Sequence, residues 1–417
     1  MLTRRSLLTR TAALAAASSL VPRRARASVA PEDLKFVFVM VFRGWDVTRV
    51  FAPEFDNPAV DMEADAEEAV IGGIRFVDHP RRASVRSFFE SWHQRALVLD
   101  GIVVPSLGHV ECLNLMLRGS NIVTDADWPA RIAGAAANRY ALPHVVVNGP
   151  NFPGTLGGFV TRVGSTAGVE QVLDGSVLAA DDAAIRRFSA GGSAAMDAAV
   201  ANFSASRRGR AVTARERVLT EAHEGSLARL ATLKARAGDL TWPGDTRLTS
   251  QTPLAVDLLR QDLTRCVTLA HDYVEWDSHA ENDMLQSAMF EDLFAGLDDL
   301  MVRLSDAPGT HADTLAHETV VVVLSEMGRT PNLNGGAGKD HWPHTSALLV
   351  GPNLASDRVV GGFDALFTSR PIDFATGDLT DTGTQIGTKN LGATLLALAG
   401  IDPAEQIDAD PIDGVLA

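Results

Sequence analysis

The chain is short of several things, and each shortage narrows what it can be. Only two of its 417 residues are cysteine, Cys112 and Cys266. They allow at most one disulfide in an oxidising compartment and serve equally well as two buried free thiols. Beyond the first 27 residues no run of eighteen apolar residues occurs, so no permanent membrane anchor is expected. Basic residues are scarce: 37 Lys and Arg stand against 52 Asp and Glu, a formal charge of −15. A surface of that sign repels phosphate backbones, which excludes nucleic acid as a partner while leaving room for a small anion at a local positive site. The glycines at 149, 154, 157 and 158 lack the strand-then-helix setting of a nucleotide fingerprint. Hydrophobic content of 46% with 21% charge excludes wholesale disorder.

What is present begins with an address. Residues 1–27 carry six arginines and no acid; without them the balance is 31 basic against 52 acidic, or −21. Arg4 and Arg5 precede an Ala-rich apolar stretch at 11–21, and Ala25 and Ala27 offer the small residues a signal peptidase reads. The segment resembles a twin-arginine export signal. It implies passage through the twin-arginine translocase and a periplasmic or otherwise exported mature protein, residues 28–417.

The centre of the chain's organisation is the stretch 319–343. Residues 320–324 are a continuous β-branched and apolar run, suited to a strand buried on both faces, and Ser325, Glu326 and Arg329 follow at once. A glycine-rich loop leads on to Lys339, Asp340 and His341. Open α/β sheets place their ligands where buried strands end in polar loops. The run 35–42 has the same grammar and ends in Arg43, Gly44, Trp45 and Asp46. There Asp46 suits either a metal ligand or the cap of the next turn. The strand region 97–104 leads to Ser106 and His109 at the opening of a helix that stops at Gly119, where they serve as an oxyanion or metal contact or as an ordinary cap and first turn. Cys266 to Val274 reads as a strand followed by Trp276, Asp277, Ser278 and His279; Asp277 and His279, two apart on an extended chain, point the same way and form a metal-ligand pairing. Residues 54–70 read as an irregular acidic excursion. Between about 181 and 265 the Ala- and Arg-rich sequence reads as a helical insertion beside the sheet, with no residue that points to chemistry.

Four polar clusters in this order, at 43–46, 106–109, 276–279 and 325–341, resemble the domain-of-unknown-function family 1501, placed with the alkaline phosphatase and sulfatase superfamily. The motifs are Arg43-Gly44-Trp45-Asp46, Trp276-Asp277-Ser278-His279, the segments 325–334 and 339–343, and the later 351–353, Gly361, Gly362 and Asp364. The resemblance extends over nearly the whole mature chain. It implies a single αβα sandwich with a mainly parallel central sheet and a metal site at the carboxyl ends of its strands. It implies Asp46, Asp277, His279, Glu326, Asp340 and His341 as ligands of a divalent ion (zinc, manganese, iron or calcium). Ser106, His109 and Arg329 are the expected catalytic residues, and Arg43, Arg329 and Lys339 the expected anion-binding ones.

Two positions depart from the pattern. Glu326 and Met327 stand where relatives of known chemistry carry Asp and His, and Gly108 stands beside His109 where a serine is expected, which leaves either Ser106 as its substitute or no nucleophile. The expected function is hydrolysis of phosphate or sulfate esters, with a small anionic ester as partner. The alternatives are a catalytically degenerate periplasmic binding or assembly protein with its own protein partner, or clusters that are only structural, with Asp340 a cap, His341 held in a rigid loop and Glu326 paired with Arg329.

Overall fold

Each apolar run becomes a buried strand, and the strands join one sheet. The computed structural model describes residues 29–163 and 189–417, so the export signal and the start of the helical middle, 181–188, lie outside the described residues. In chain order the strands are β1 (Lys35–Val41), β2 (Glu67–Ile71), β3 (Ile74–Asp78), β4 (Ala96–Val103), β5 (His144–Val146), β6 (Val160–Arg162), β7 (Cys266–His271), β8 (Thr319–Ser325), β9 (Gly328–Arg329), β10 (His341–Trp342), β11 (His344–Val350) and β12 (Arg358–Gly361). The helices are α1 (Ala83–Trp92), α2 (His109–Arg118), α3 (Trp128–Ala135), α4 (Ala190–Arg210), α5 (Ala214–Arg236), α6 (Leu248–Arg260), α7 (Asn282–Asp306) and α8 (Thr388–Leu398).

The eight-stranded sheet has the order β12-β4-β11-β8-β1-β7-β5-β6. All its pairings are parallel except those of β11, which runs against both β4 and β8. The carboxyl ends of β1, β4, β7 and β8 therefore share one edge with the amino end of β11.

Strand alternation divides β1 between two cores. Val37, Val39 and Val41 face α1, α6 and α7, while Phe36, Phe38 and Met40 face α2, α3 and α8. Helix α7 shows why it packs: Phe290, Leu293, Phe294, Leu297, Leu300, Met301 and Leu304 recur at helical spacing and are all buried. Each such side chain is worth about 1.5–3 kcal/mol of burial. The result is an αβα sandwich with a mainly parallel sheet.

Some details differ from the sequence reading. The excursion at 54–70 ends in an ordered antiparallel ribbon, β2 with β3. The helical middle also splits: α6 covers the sheet with Leu254, Ala255, Leu258 and Leu259 in the core, whereas α4 and α5 form a hairpin that is mostly exposed. Cys112 and Cys266 are free and buried. One carboxylate of the sheet interior, Asp100 on β4, has a hydroxyl as its one side-chain partner among the described residues: Ser346 Oγ donates to it at 2.6 Å. Burial pushes its acid up from 3.8 to about 7.

Candidate metal centre

The shared edge collects side chains from four segments around Asp277, just past β7. Its Oδ1 lies 3.1 Å from His279 Nε2, 3.4 Å from His341 Nε2 and 3.6 Å from His109 Nε2. Arg329 donates to the same oxygen at 2.8 Å. His109 opens α2, and His341 lies in β10 just before β11; the ring centroids of these two are 4.4 Å apart. The Nε2 atoms of His279 and His341 face each other at 3.1 Å.

The far side of each imidazole fixes its tautomer. His109 Nδ1 is 3.0 Å from Glu326 Oε1, His279 Nδ1 is 2.8 Å from Asp340 Oδ1, and His341 Nδ1 is 2.7 Å from the Leu107 carbonyl. All three partners are acceptors, so each Nδ1 donates, and a ring in its neutral form presents an Nε2 lone pair toward Asp277. Two facing lone pairs and a carboxylate repel unless a cation or a proton stands among them. Imidazoles backed by a carboxylate or a carbonyl are the usual setting of metal-bound histidine. His109, Asp277 and His341 lie within mutual ligating reach, and His279 adjoins them. The donor set therefore fits a divalent ion that accepts nitrogen and oxygen ligands.

The surroundings set the charges. The hydrogen bond that His109 donates to Glu326 raises the pKa of His109, and burial lowers that of His341. Burial pushes Asp277 upward, but Arg329, through its hydrogen bond and its charge, together with His109 and His279, holds it below the ordinary carboxylate range. The hydrogen bond to His279 lowers Asp340.

Several residues expected at the site have other work. Asp46 is fully buried and caps the turn Val47–Arg49, with Thr48 N and Oγ1 donating to Oδ1 at 3.0 and 2.6 Å. Its Oδ2 takes Asn282 Nδ2 at 2.8 Å, Lys339 Nζ at 3.0 Å and Arg49 Nε at 3.7 Å. Burial opposes its ionisation, yet Lys339 and Arg49 outweigh it and depress its pKa strongly. Burial pushes Lys339 down to about 8, but we take the pair as charged, because Asp46 faces two cations. Asp46 thus leaves the ligand set and Lys339 the anion-binding set, each used by the other.

Arg329, also fully buried, donates to the carbonyls of Gly44, Arg43, Trp276 and Lys339 as well as to Asp277. It positions Asp277 and is sealed from solvent, with Nε, Nη1 and Nη2 each engaged within the protein. The Arg43 guanidinium is paired with Asp272 at 2.5 Å, while its backbone N–H donates to Glu326 at 2.5 Å. Glu326 therefore faces His109 and Arg43, not Arg329. Gly44 turns the chain inward here with a φ of +81°, and a Cβ on it would meet Met327 Cγ at 2.9 Å. Ser106 Oγ accepts from Gly108 N at 3.2 Å and hydrogen-bonds the Cys112 thiol. His109 thus joins the ligand side, while Glu326 and Asp340 stand behind ligands. The sequence reading missed Asn282, which holds Asp46; its signal was its place three residues after His279 on the same turn.

The family described as "Protein of unknown function (DUF1501)" matches residues 153–409, more than half of the chain; the span leaves out the first two clusters. No protein of curated function matches. Among solved structures, the chain is similar to Ps i-CgsB in complex with k-i-k-neocarrahexaose (10% identity, 90% of this chain and 74% of that one, TM-score 0.38). It is also similar to a protein in the alkaline phosphatase superfamily from Vibrio parahaemolyticus (9%, 93% and 71%, 0.38) and to the lipoteichoic acid synthase LtaP from Listeria monocytogenes (10%, 93% and 77%, 0.35). Likenesses this distant carry no weight for chemistry, and the αβα architecture stands on the sheet and its two helical faces.

Proposed function

The chain belongs to the DUF1501 family, and from that premise we propose that it is an exported metal-dependent hydrolase of phosphate or sulfate esters. The observation that carries the proposal is the convergence of the His109, His279 and His341 Nε2 atoms on Asp277 Oδ1, each ring backed by its own acceptor. Those four residues would hold the ion, which when bound supplies Lewis-acid charge at the reacting oxygen. Zinc, manganese, iron and calcium are the candidates, with mixed nitrogen and oxygen ligands favouring the first three.

The protein's own part is placement. Arg329 fixes Asp277, and Glu326 fixes His109. Helix α2 opens at Gly108 with no side-chain cap, so its first amides and its positive end face the site and suit an anionic ester oxygen. Arg43 adds charge at the rim once it parts from Asp272. Ser106 sits one residue before the carbonyl that holds His341, which makes it the candidate nucleophile.

One observation favours a second reading, a binding protein without turnover. Ser106 Oγ is engaged by Gly108 and Cys112 and has no imidazole or carboxylate as base among the described residues. Elemental analysis of the purified exported protein, followed by aryl phosphates and sulfates as substrates, separates the two. Bound metal with turnover supports the hydrolase, and bound metal without turnover supports the binding protein. Folded protein that carries none and takes up none of the four ions overturns both as metal proteins.

A further inference from the structure

The hairpin of α4 and α5, which the metal centre does not use, differs in charge from the rest of the molecule. Residues 203–219 hold five arginines (Arg207, Arg208, Arg210, Arg215 and Arg217) and one acid, in a chain of net −15. That acid, Glu216, is taken up in a capping box with Thr213 at the start of α5. Arg208 pairs across the hairpin with Glu224, and Arg207 lies over the Phe203 ring at 5.8 Å. Arg210 and Arg215 are exposed and have no ion-pair partner among the described residues. Phe203, Val212, Val218 and Leu219 are exposed in the same stretch, Val212 in the link between the helices at 79%.

Among the described residues the hairpin meets the body near its base, where Arg229 donates to the Gly158 carbonyl and Leu233 enters the core, and Lys234 pairs with Asp197 across the two helices. From Arg229 to Thr213 the helix runs ~24 Å at 1.5 Å per residue. Between 203 and 219 only Ser204 is buried.

We propose that the tip of this hairpin docks on an anionic lipid bilayer. Charge complementarity carries the choice, because the tip concentrates positive charge that the acidic body lacks. Its length keeps that body more than two Debye lengths, each about 8–10 Å, from the surface it would otherwise repel. A standard protein interface takes about 20–30 residues a side, more than this tip presents. Lipid docking needs only basic side chains among headgroups and a few apolar ones dipping beneath them.

The test is sedimentation of the full protein with vesicles of phosphatidylcholine alone or mixed with phosphatidylglycerol. The mixed vesicles should bind it at low salt, at least about tenfold more tightly than the neutral ones, and release it at high salt. Arg207→Gln/Arg210→Gln/Arg215→Gln should weaken binding by at least about tenfold, and Val212→Ser by a few-fold, with circular dichroism unchanged. Equal binding to both vesicle types, binding unaltered in the arginine variant, or no binding to either at low salt would overturn the proposal, the last pointing to an acidic protein partner instead.

Discussion

Asp46 and Asp277 each follow a buried strand of the same sheet, yet they have opposite fates. Asp46 is sealed among Lys339, Arg49, Asn282 and Thr48, so its charge is neutralised from within. Asp277 is half-buried, held by one guanidinium and faced by the Nε2 atoms of three imidazoles. Asp100 completes the contrast, since a hydroxyl is its one hydrogen-bond partner among the described residues and burial raises its pKa to about 7. What a carboxylate at a strand end becomes is decided by the groups that face it, and those come from distant parts of the chain.

The comparison can be broken at its strongest point. Asp46→Ala strands Lys339 in the interior, while Arg49 keeps Asp283 at 2.6 Å, and should cost about 3–5 kcal/mol in urea denaturation. A loss near zero would mean that the pair is not the internal structure described. Asp277→Ala should instead leave a folded protein without bound metal, and His341→Ala should do the same; unchanged metal content in both would remove the centre. Glu326→Gln keeps an acceptor for Arg43 N but removes the charge behind His109, and should weaken metal affinity about 10–100-fold, measured by competition with a chelator. Asp340→Asn tests the same support behind His279.

A further effect concerns Asp100. Its folded pKa of about 7 lies above the ordinary 3.8, so between those values the folded state holds the extra proton. Its contribution to stability is full below pH 3.8 and is lost as pH rises through about 7. Asp100→Asn should flatten the pH dependence of stability in that window, and an unaltered slope would refute the assignment.

The sequence made the strands and their polar ends legible because buried strands are apolar throughout and break off abruptly. It also brought out His109, His279, His341 and Asp277 as candidates. It could not assign Asp46, since the Lys339 that neutralises it is 293 residues away and neighbours only after the sheet closes. For the same reason Glu326 and Asp340 looked like ligands, although the imidazoles stand between them and the shared point. Arg329 looked like an anion clamp until its carbonyl partners were in place.

The reversal of β11 has a consequence for timing. Residues 109, 277, 279 and 341 reach one edge only when β4, β7, β8 and β11 are in register, and no contiguous segment carries more than two of the four. A nascent chain therefore offers an ion little to grip, and any ion that binds the finished edge stabilises it by mass action alone. On the proposed function, acquisition would be a late event, and the compartment in which folding ends would decide which metal the protein meets.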